Sequence, residues 1–134
     1  TIQHNKNITS FPHTQTVRPT DNITLRCNIT GHEQVAWYHL SSDDFTLLIS
    51  AEKTRTRKIL PVHYNRDENR FILEPDPEVN TAIFTIIGIT TDDLGLYFCG
   101  TKATLGDLMH FKKVTRLQFE VKEEETAVTQ QAEV

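Results

Sequence analysis

The heptapeptide DLGLYFC, residues 93–99, decides the fold class of this chain. It opens with a turn signal and continues as an apolar run in which Tyr97 and Cys99 fall on the same side of an extended strand. The other cysteine, Cys27, lies 72 residues before Cys99, and the single tryptophan, Trp37, follows Cys27 by ten residues. This order and spacing suit strands that face each other from two sheets.

Apolar and polar residues alternate over short stretches throughout the chain, and no long stretch has the 3.6-residue period of a helix. The clearest alternation places Ile23, Leu25 and Cys27 on one face of a strand. Turn residues separate the further apolar runs, which are 35–39, 46–50, 71–74, 82–89, 96–100 and 115–121. One or two short strands fit between residues 50 and 70, where Pro61 confines them to a sheet edge. The predicted fold class is all-β.

Size and charge limit what the chain can be. Its 134 residues suffice for one domain, which we assign to residues 1–121, and segment 122–134 lacks aromatic residues and is expected to be a flexible stalk. A formal net charge of −4 provides no strongly basic surface for general nucleic-acid binding. No run of 18 apolar residues occurs and the chain starts at Thr1, so we expect the ectodomain of a membrane-anchored protein.

Three Asn-Ile-Thr sequons begin at Asn7, Asn22 and Asn28 and predict N-glycosylation at these asparagines. Three sequons within thirty residues favour the secretory route, where the compartment is oxidising. A disulfide between the two cysteines is then plausible, while a pair of free buried thiols is the alternative.

Cys27, Trp37 and the run 93–99 together resemble the immunoglobulin variable-type domain. The resemblance implies a β-sandwich whose two sheets are joined by one disulfide, between Cys27 and Cys99, with Trp37 shielding it from water. It also implies that the Tyr97 hydroxyl caps the backbone at one corner of the sandwich.

The same resemblance implies a structural ion pair between Arg70 and Asp93, so Asp93 is not a catalytic carboxylate. The last strand departs from the family pattern, because the segment FKKVTRLQF, residues 111–119, lacks both glycines of the usual joining segment. We therefore expect this strand to run straight, without a β-bulge, and we do not expect a rearranging antibody or T-cell receptor chain.

One outward sheet face is predicted to be apolar. If Trp37 points inward, its neighbours Ala36 and Tyr38 point outward, next to Phe98 of the adjacent strand. The predicted dimer or domain-pairing face consists of Tyr38, Leu40, Phe45, Leu47, Leu96, Phe98 and Phe111. The other sheet presents polar residues and two of the sequons, so glycans would leave the apolar face as the contact surface. Chance exposure of apolar residues is the alternative.

The third hypervariable segment, residues 101–110, is the predicted ligand-binding loop. Its candidate contact residues are Thr104, Leu105, Gly106, Asp107, Leu108 and Met109. The apolar residues of this loop either bind a partner or fold back on the domain, and both interpretations are open. In the second loop the basic cluster of Lys53, Arg55 and Arg57 is interpreted as a solvated surface.

The motif GLYFCG (residues 95–100), the glycine-poor last strand and the sequon-rich amino end are similar to the novel immune-type receptors of bony fish. The resemblance implies a leukocyte cell-surface receptor that recognises a protein ligand on other cells, with allogeneic proteins among the candidates. A homophilic or heterophilic adhesion module that binds through the sheet face is the alternative. Catalysis is not expected, nor a metal or cofactor, because no metal-ligand spacing or nucleophile motif is present.

Overall fold

A computed structural model describes residues 13–42, 44–53, 59–63, 68–104 and 107–121. Within these ranges it contains nine β-strands and two short 3₁₀ turns, at Glu68–Arg70 and Thr91–Asp93. The strands are β1 (His13–Val17), β2 (Ile23–Asn28), β3 (Gln34–Leu40), β4 (Phe45–Lys53), β5 (Ile59–His63), β6 (Phe71–Pro75), β7 (Thr81–Ile86), β8 (Gly95–Lys102) and β9 (His110–Phe119). Asn7, Arg55, Arg57, Leu105, Gly106 and segment 122–134 lie outside the described residues.

The strands form two sheets, with the order β1-β9-β8-β3-β4-β5 in the larger and β2-β7-β6 in the smaller. All neighbours are antiparallel except β1 and β9, which run parallel. Cys27 of β2 and Cys99 of β8 form a disulfide between the two sheets, with their Cα atoms 6.3 Å apart. The predicted all-β sandwich with one inter-sheet disulfide is therefore confirmed.

The core lies between the two sheets and is built from the side chains that the strands of both sheets point inward. Trp37 pairs with Cys99 in the strand register and stacks on Phe84 of the opposite sheet, with ring centroids 5.3 Å apart. In β2 the alternation is strict: Ile23, Leu25 and Cys27 are buried, as the sequence pattern predicts. The disulfide and Trp37 thus occupy the centre of one continuous core.

Two elements differ from the sequence expectation. Strand β1 was not predicted, because in His13–Val17 only the last residue is buried and no apolar alternation marks it. It is held by backbone pairing to β9, from His13 opposite Thr115 to Val17 opposite Phe119. Strand β7 ends at Ile86 and not at residue 89, because Gly88 adopts a φ of +67° that turns the chain out of the sheet.

The edge strand predicted between residues 50 and 70 is present as β5. It pairs with β4 alone, with Pro61 opposite Ala51, at the end of the larger sheet. Proline is tolerated in such an edge strand because one side of the strand has no partner, and on that side no backbone N–H donor is needed.

The expectation of a straight last strand is wrong. The pairing of β8 with β9 shifts by one residue between Phe98, which faces Val114, and Gly100, which faces Phe111. Lys112 and Lys113 therefore oppose Cys99 together as a β-bulge. Among the described residues only Thr20 and Val79 are non-glycine residues with positive φ, so this bulge forms without the left-handed backbone for which glycine is needed.

A second bulge lies in β4. The register with β3 shifts between Trp37, opposite Ile49, and Tyr38, opposite Leu47, which leaves Leu48 as an extra residue. As a result both Leu48 and Ile49 are buried, although they are consecutive. The shift keeps Phe45 and Leu47 on the outward face, next to β3.

Candidate functional site

One corner of the sandwich is closed by Tyr97. Its hydroxyl donates a hydrogen bond of 2.5 Å to the backbone oxygen of Asp93, and the ring stacks on His39 at 4.6 Å. Burial raises the pKa of Tyr97 far above its ordinary value, and the nearby Asp93 charge acts in the same direction. The phenol is therefore a permanent hydrogen-bond donor, which is a structural role.

The Asp93 carboxylate is held by two residues, Arg70 and Thr90. It forms an ion pair with Arg70 and accepts a 2.8 Å hydrogen bond from the backbone N–H of Thr90. Arg70 in turn donates to the backbone oxygens of Ile87 and Gly88, each at 3.0 Å. Because Asp93 is only 6% exposed and fully engaged, it joins two loops and is not available for acid–base chemistry.

Four aromatic rings form a connected cluster on the outward face of the larger sheet. Tyr38 stacks on Phe45 at 5.2 Å and meets Phe111 edge-on at 5.7 Å. Phe98 meets Phe45 at 5.8 Å and Phe111 at 6.3 Å, both edge-on, so the four contacts close a ring. We call Tyr38, Phe45, Phe98 and Phe111 the aromatic quartet.

The quartet lies across the four central strands, since β9, β8, β3 and β4 contribute one ring each. Phe45 is 56% exposed and Phe111 is 53% exposed, while Leu40, Leu47 and Leu96 beside them are half-buried. The structure thus brings together all seven residues of the predicted apolar face. Large exposed rings supply contact area at a low cost in side-chain entropy, which is typical of protein-binding surfaces.

A row of small residues adjoins the quartet on the side of the third hypervariable segment. Gly100, Ala36 and Ser50 pair with one another across β8, β3 and β4, with Phe111 at one end of the row and Val62 at the other. We call the depression above Gly100, Ala36 and Ser50 the small-residue trough. The residues around its Ala36–Ser50 half line a cavity of about 450 Å³, whose walls include Tyr38, Leu47, Val62 and Met109. The outward direction of Ala36 agrees with the sequence pattern, but Ala36 is buried because larger side chains surround it.

In the third hypervariable segment, one apolar residue folds back on the domain and another is exposed to solvent. Met109 folds back, because its side chain occupies the space where a Cβ atom at Gly100 would stand. Leu108 points away from the core and is 79% exposed, and Thr104 and Asp107 are also exposed. The backbone N–H of Asp107 donates to the oxygen of Thr104 at 3.2 Å, and the Asp107 carboxylate accepts from the N–H of Leu108 at 3.0 Å. An exposed apolar tip therefore borders the aromatic face.

The family model of the immunoglobulin V-set domain matches residues 10–120. The chain belongs to the immunoglobulin V-set family. V-set domains are generally modules of cell-surface recognition, are usually extracellular and are typically not enzymes. A comparison with curated protein sequences found no match.

Two of the predicted glycosylation sites of this V-set domain lie at the ends of β2 in the smaller sheet, since Asn22 directly precedes this strand and Asn28 is its last residue. Asn22 and Asn28 are both exposed. The Asn22 side-chain oxygen accepts a 3.0 Å hydrogen bond from the N–H of Gly88, and that of Asn28 accepts a 2.8 Å hydrogen bond from the N–H of Thr30. Both bonds use the amide oxygen, so the nitrogen that a glycan would modify is not needed for them.

No group of three or more metal-ligating side chains occurs among the described residues of the V-set domain. His39, the histidine nearest to Ser41 and Ser42 in sequence, donates from Nε2 to the backbone oxygen of Leu94 at 2.7 Å, because a carbonyl can only accept. The N–H of Ser41 donates to the oxygen of Asp44, which closes the predicted hairpin turn. In the part of the chain that the structure describes, no helix has the length and hydropathy needed to span a bilayer.

Proposed function

We propose that this V-set domain is the recognition domain of a leukocyte cell-surface immune receptor of the novel immune-type kind and that it binds a protein on another cell. Leu108, at the exposed tip of the third hypervariable segment, carries the proposal of ligand recognition, and the aromatic quartet provides an apolar face beside it. Two of its rings are more than half exposed on one continuous sheet face, and such a face needs a protein partner to remove it from water.

The third hypervariable segment supports ligand recognition at the edge of this face. Leu108 exposes 79% of its surface at the loop tip and adds to the apolar surface that the quartet presents beside it. Met109 ties the loop to the sheet at Gly100, so the tip is held in place before a ligand arrives. A pre-positioned loop loses less conformational entropy on binding, which favours affinity.

Staining of cells tests this proposal. Fluorescent tetramers of the domain are applied to a panel of leukocytes and of allogeneic target cells, and a subset is expected to stain. Leu108→Ser should reduce staining strongly, whereas Ile72→Ser should not, because Ile72 is an exposed apolar residue on the smaller sheet. Equal staining by both variants, or no staining of any cell, contradicts ligand recognition by this loop.

Adhesion through the sheet face is the second candidate, and the exposure of Phe45 and Phe111 favours it. In that case Phe45→Asp abolishes contact between cells that display the domain, while Leu108→Ser leaves it unchanged. The receptor function predicts instead that Leu108→Ser reduces the staining of target cells more strongly than Phe45→Asp does.

A further inference from the structure

One half of the larger sheet contains no acidic residue. None of the 23 residues of β1, β8 and β9 is an aspartate or a glutamate, although 18 of the 134 residues of the chain are acidic. The same three strands carry four cationic side chains, Lys102, Lys112, Lys113 and Arg116. The formal net charge of −4 is therefore unevenly distributed, and this half of the sheet has a positive local potential that attracts anions.

Three of these cations have no partner within the part of the chain that the structure describes. Lys112, Lys113 and Arg116 are exposed, and none of them forms an ion pair or a side-chain hydrogen bond there. Arg18, by contrast, is neutralised by Glu120 at the end of the same sheet. We call Lys112, Lys113 and Arg116 the basic edge.

The β-bulge in β9 brings the two lysines of the basic edge together. Lys112 and Lys113 oppose Cys99 jointly, so two positive charges leave the strand opposite a single residue of β8. Strand β1 pairs with β9 only from Thr115 onward, and no other described strand covers the outer edge of β9 at the bulge. Arg116 follows four residues after Lys112, at a distance of about 13 Å along the strand. A ligand that contacts all three must therefore be long.

The shape of this edge favours one kind of anion. An acidic peptide would add to a free sheet edge as a further strand, which needs regular backbone pairing. A bulge and edge lysines both interrupt such pairing. A polysaccharide that carries sulfate groups does not need it, because its contacts are made by the charged groups alone.

We propose that the basic edge binds a sulfated polysaccharide that lies along β9. The lysine ammonium groups donate to sulfate oxygens, and the planar guanidinium of Arg116 can hold one sulfate with two parallel N–H donors. Binding to a polyanion releases condensed counterions, so the affinity should fall steeply as salt is added. This binding goes beyond the proposed recognition of a protein and uses residues other than Leu108.

Titration of the disulfide-bonded domain with heparin, at several salt concentrations, tests the inference. The wild-type domain is expected to bind. Lys112→Gln/Lys113→Gln should weaken binding about 10-fold or more and should lower the slope of log affinity against log salt by about two, one for each lost contact. Thermal unfolding verifies that each variant is folded.

Single variants give a comparison matched in charge. Lys113→Gln should lower the salt slope by about one, whereas Arg26→Gln should leave both affinity and slope unchanged. Arg26 is also exposed, but it lies in β2 of the smaller sheet. A wild-type domain that does not bind heparin, or an Arg26→Gln variant weakened as much as Lys113→Gln, overturns the inference.

Two further probes identify the anion. Heparin from which the sulfates have been removed, and poly-glutamate, should each bind at least 10-fold more weakly than heparin. Equal affinity for either probe contradicts a site for sulfated polysaccharide, and tighter binding of poly-glutamate indicates an acidic peptide instead. Cell staining that depends on Leu108 and persists after enzymatic removal of sulfated polysaccharides from the cells supports the proposed receptor function, whatever the result with heparin.

Discussion

The side chain of Met109 lies over Gly100, and a Cβ atom at position 100 would overlap its sulfur and Cγ atoms. This contact joins the third hypervariable segment to the outward face of the larger sheet. The loop residue most prone to oxidation is thus also the one that holds the loop to the sheet.

Gly100→Ala should push Met109 off the sheet and expose its thioether. Because Met109 is the only methionine in the chain, its conversion to the sulfoxide by hydrogen peroxide is measured directly as a mass increase. We expect oxidation several times faster than in wild type, with a stability loss of about 1 kcal/mol from the displaced side chain. Thr104→Ala, an exposed change in the same hairpin, serves as the control. An unchanged oxidation rate would show that Met109 is not shielded by this contact.

Removal of the disulfide should lower stability substantially. Cys27→Ala/Cys99→Ala opens a loop of 72 residues, and the chain-entropy model assigns its closure about 4 kcal/mol of unfolding free energy. Urea denaturation of the double variant checks this value. A loss below about 1 kcal/mol would mean that the sandwich core alone fixes the sheet pairing.

Arg70→Met should destabilise the domain by about 3 kcal/mol, because it leaves the buried carboxylate of Asp93 without its ion-pair partner. Adding Asp93→Asn should restore part of the loss, since an asparagine oxygen can still accept the Thr90 N–H and no charge stays buried. Equilibrium denaturation of the single and double variants measures both effects. A double variant less stable than Arg70→Met contradicts this account.

Stability should fall in alkaline solution because of Tyr97. Burial raises the pKa of its phenol, so above pH 10 the unfolded chain releases a proton that the folded chain keeps. The contribution is fully present below the unfolded value near 10 and is lost by about 1.4 kcal/mol per pH unit above it. Tyr97→Phe should be less stable at neutral pH, through loss of the bond to Asp93, but should show a shallower alkaline decline. Denaturation curves at pH 8 to 11 compare the two slopes, and parallel slopes would rule out Tyr97 as the titrating group.

Local sequence motifs predicted the parts of the structure that depend on near neighbours. Tyr97 and Asp93 lie four residues apart within the run 93–99, and the resemblance that this run carries predicted the corner they form. Strand β1 could not be predicted from the sequence, because its pairing with β9 uses backbone groups and leaves no pattern in the side chains of His13–Val17. The bulge at Lys112 and Lys113 was missed because the prediction required glycine, whereas a bulge with negative φ accepts any residue.

The sequence by itself determined the all-β class and the choice of residues on the apolar face, because period-two alternation assigns each side chain to one side of a strand. The sandwich and its disulfide between Cys27 and Cys99 followed from the resemblance to the variable-type domain. Only the tertiary structure decided how the residues of the apolar face are arranged on the surface of the larger sheet. The register of four strands, shifted by two bulges, sets Phe111 in one row with Gly100, Ala36 and Ser50. Whether Met109 folds back depends on the absence of a side chain at Gly100, on another strand. Such contacts arise between segments distant in sequence, where packing and register, and not local preference, set the outcome.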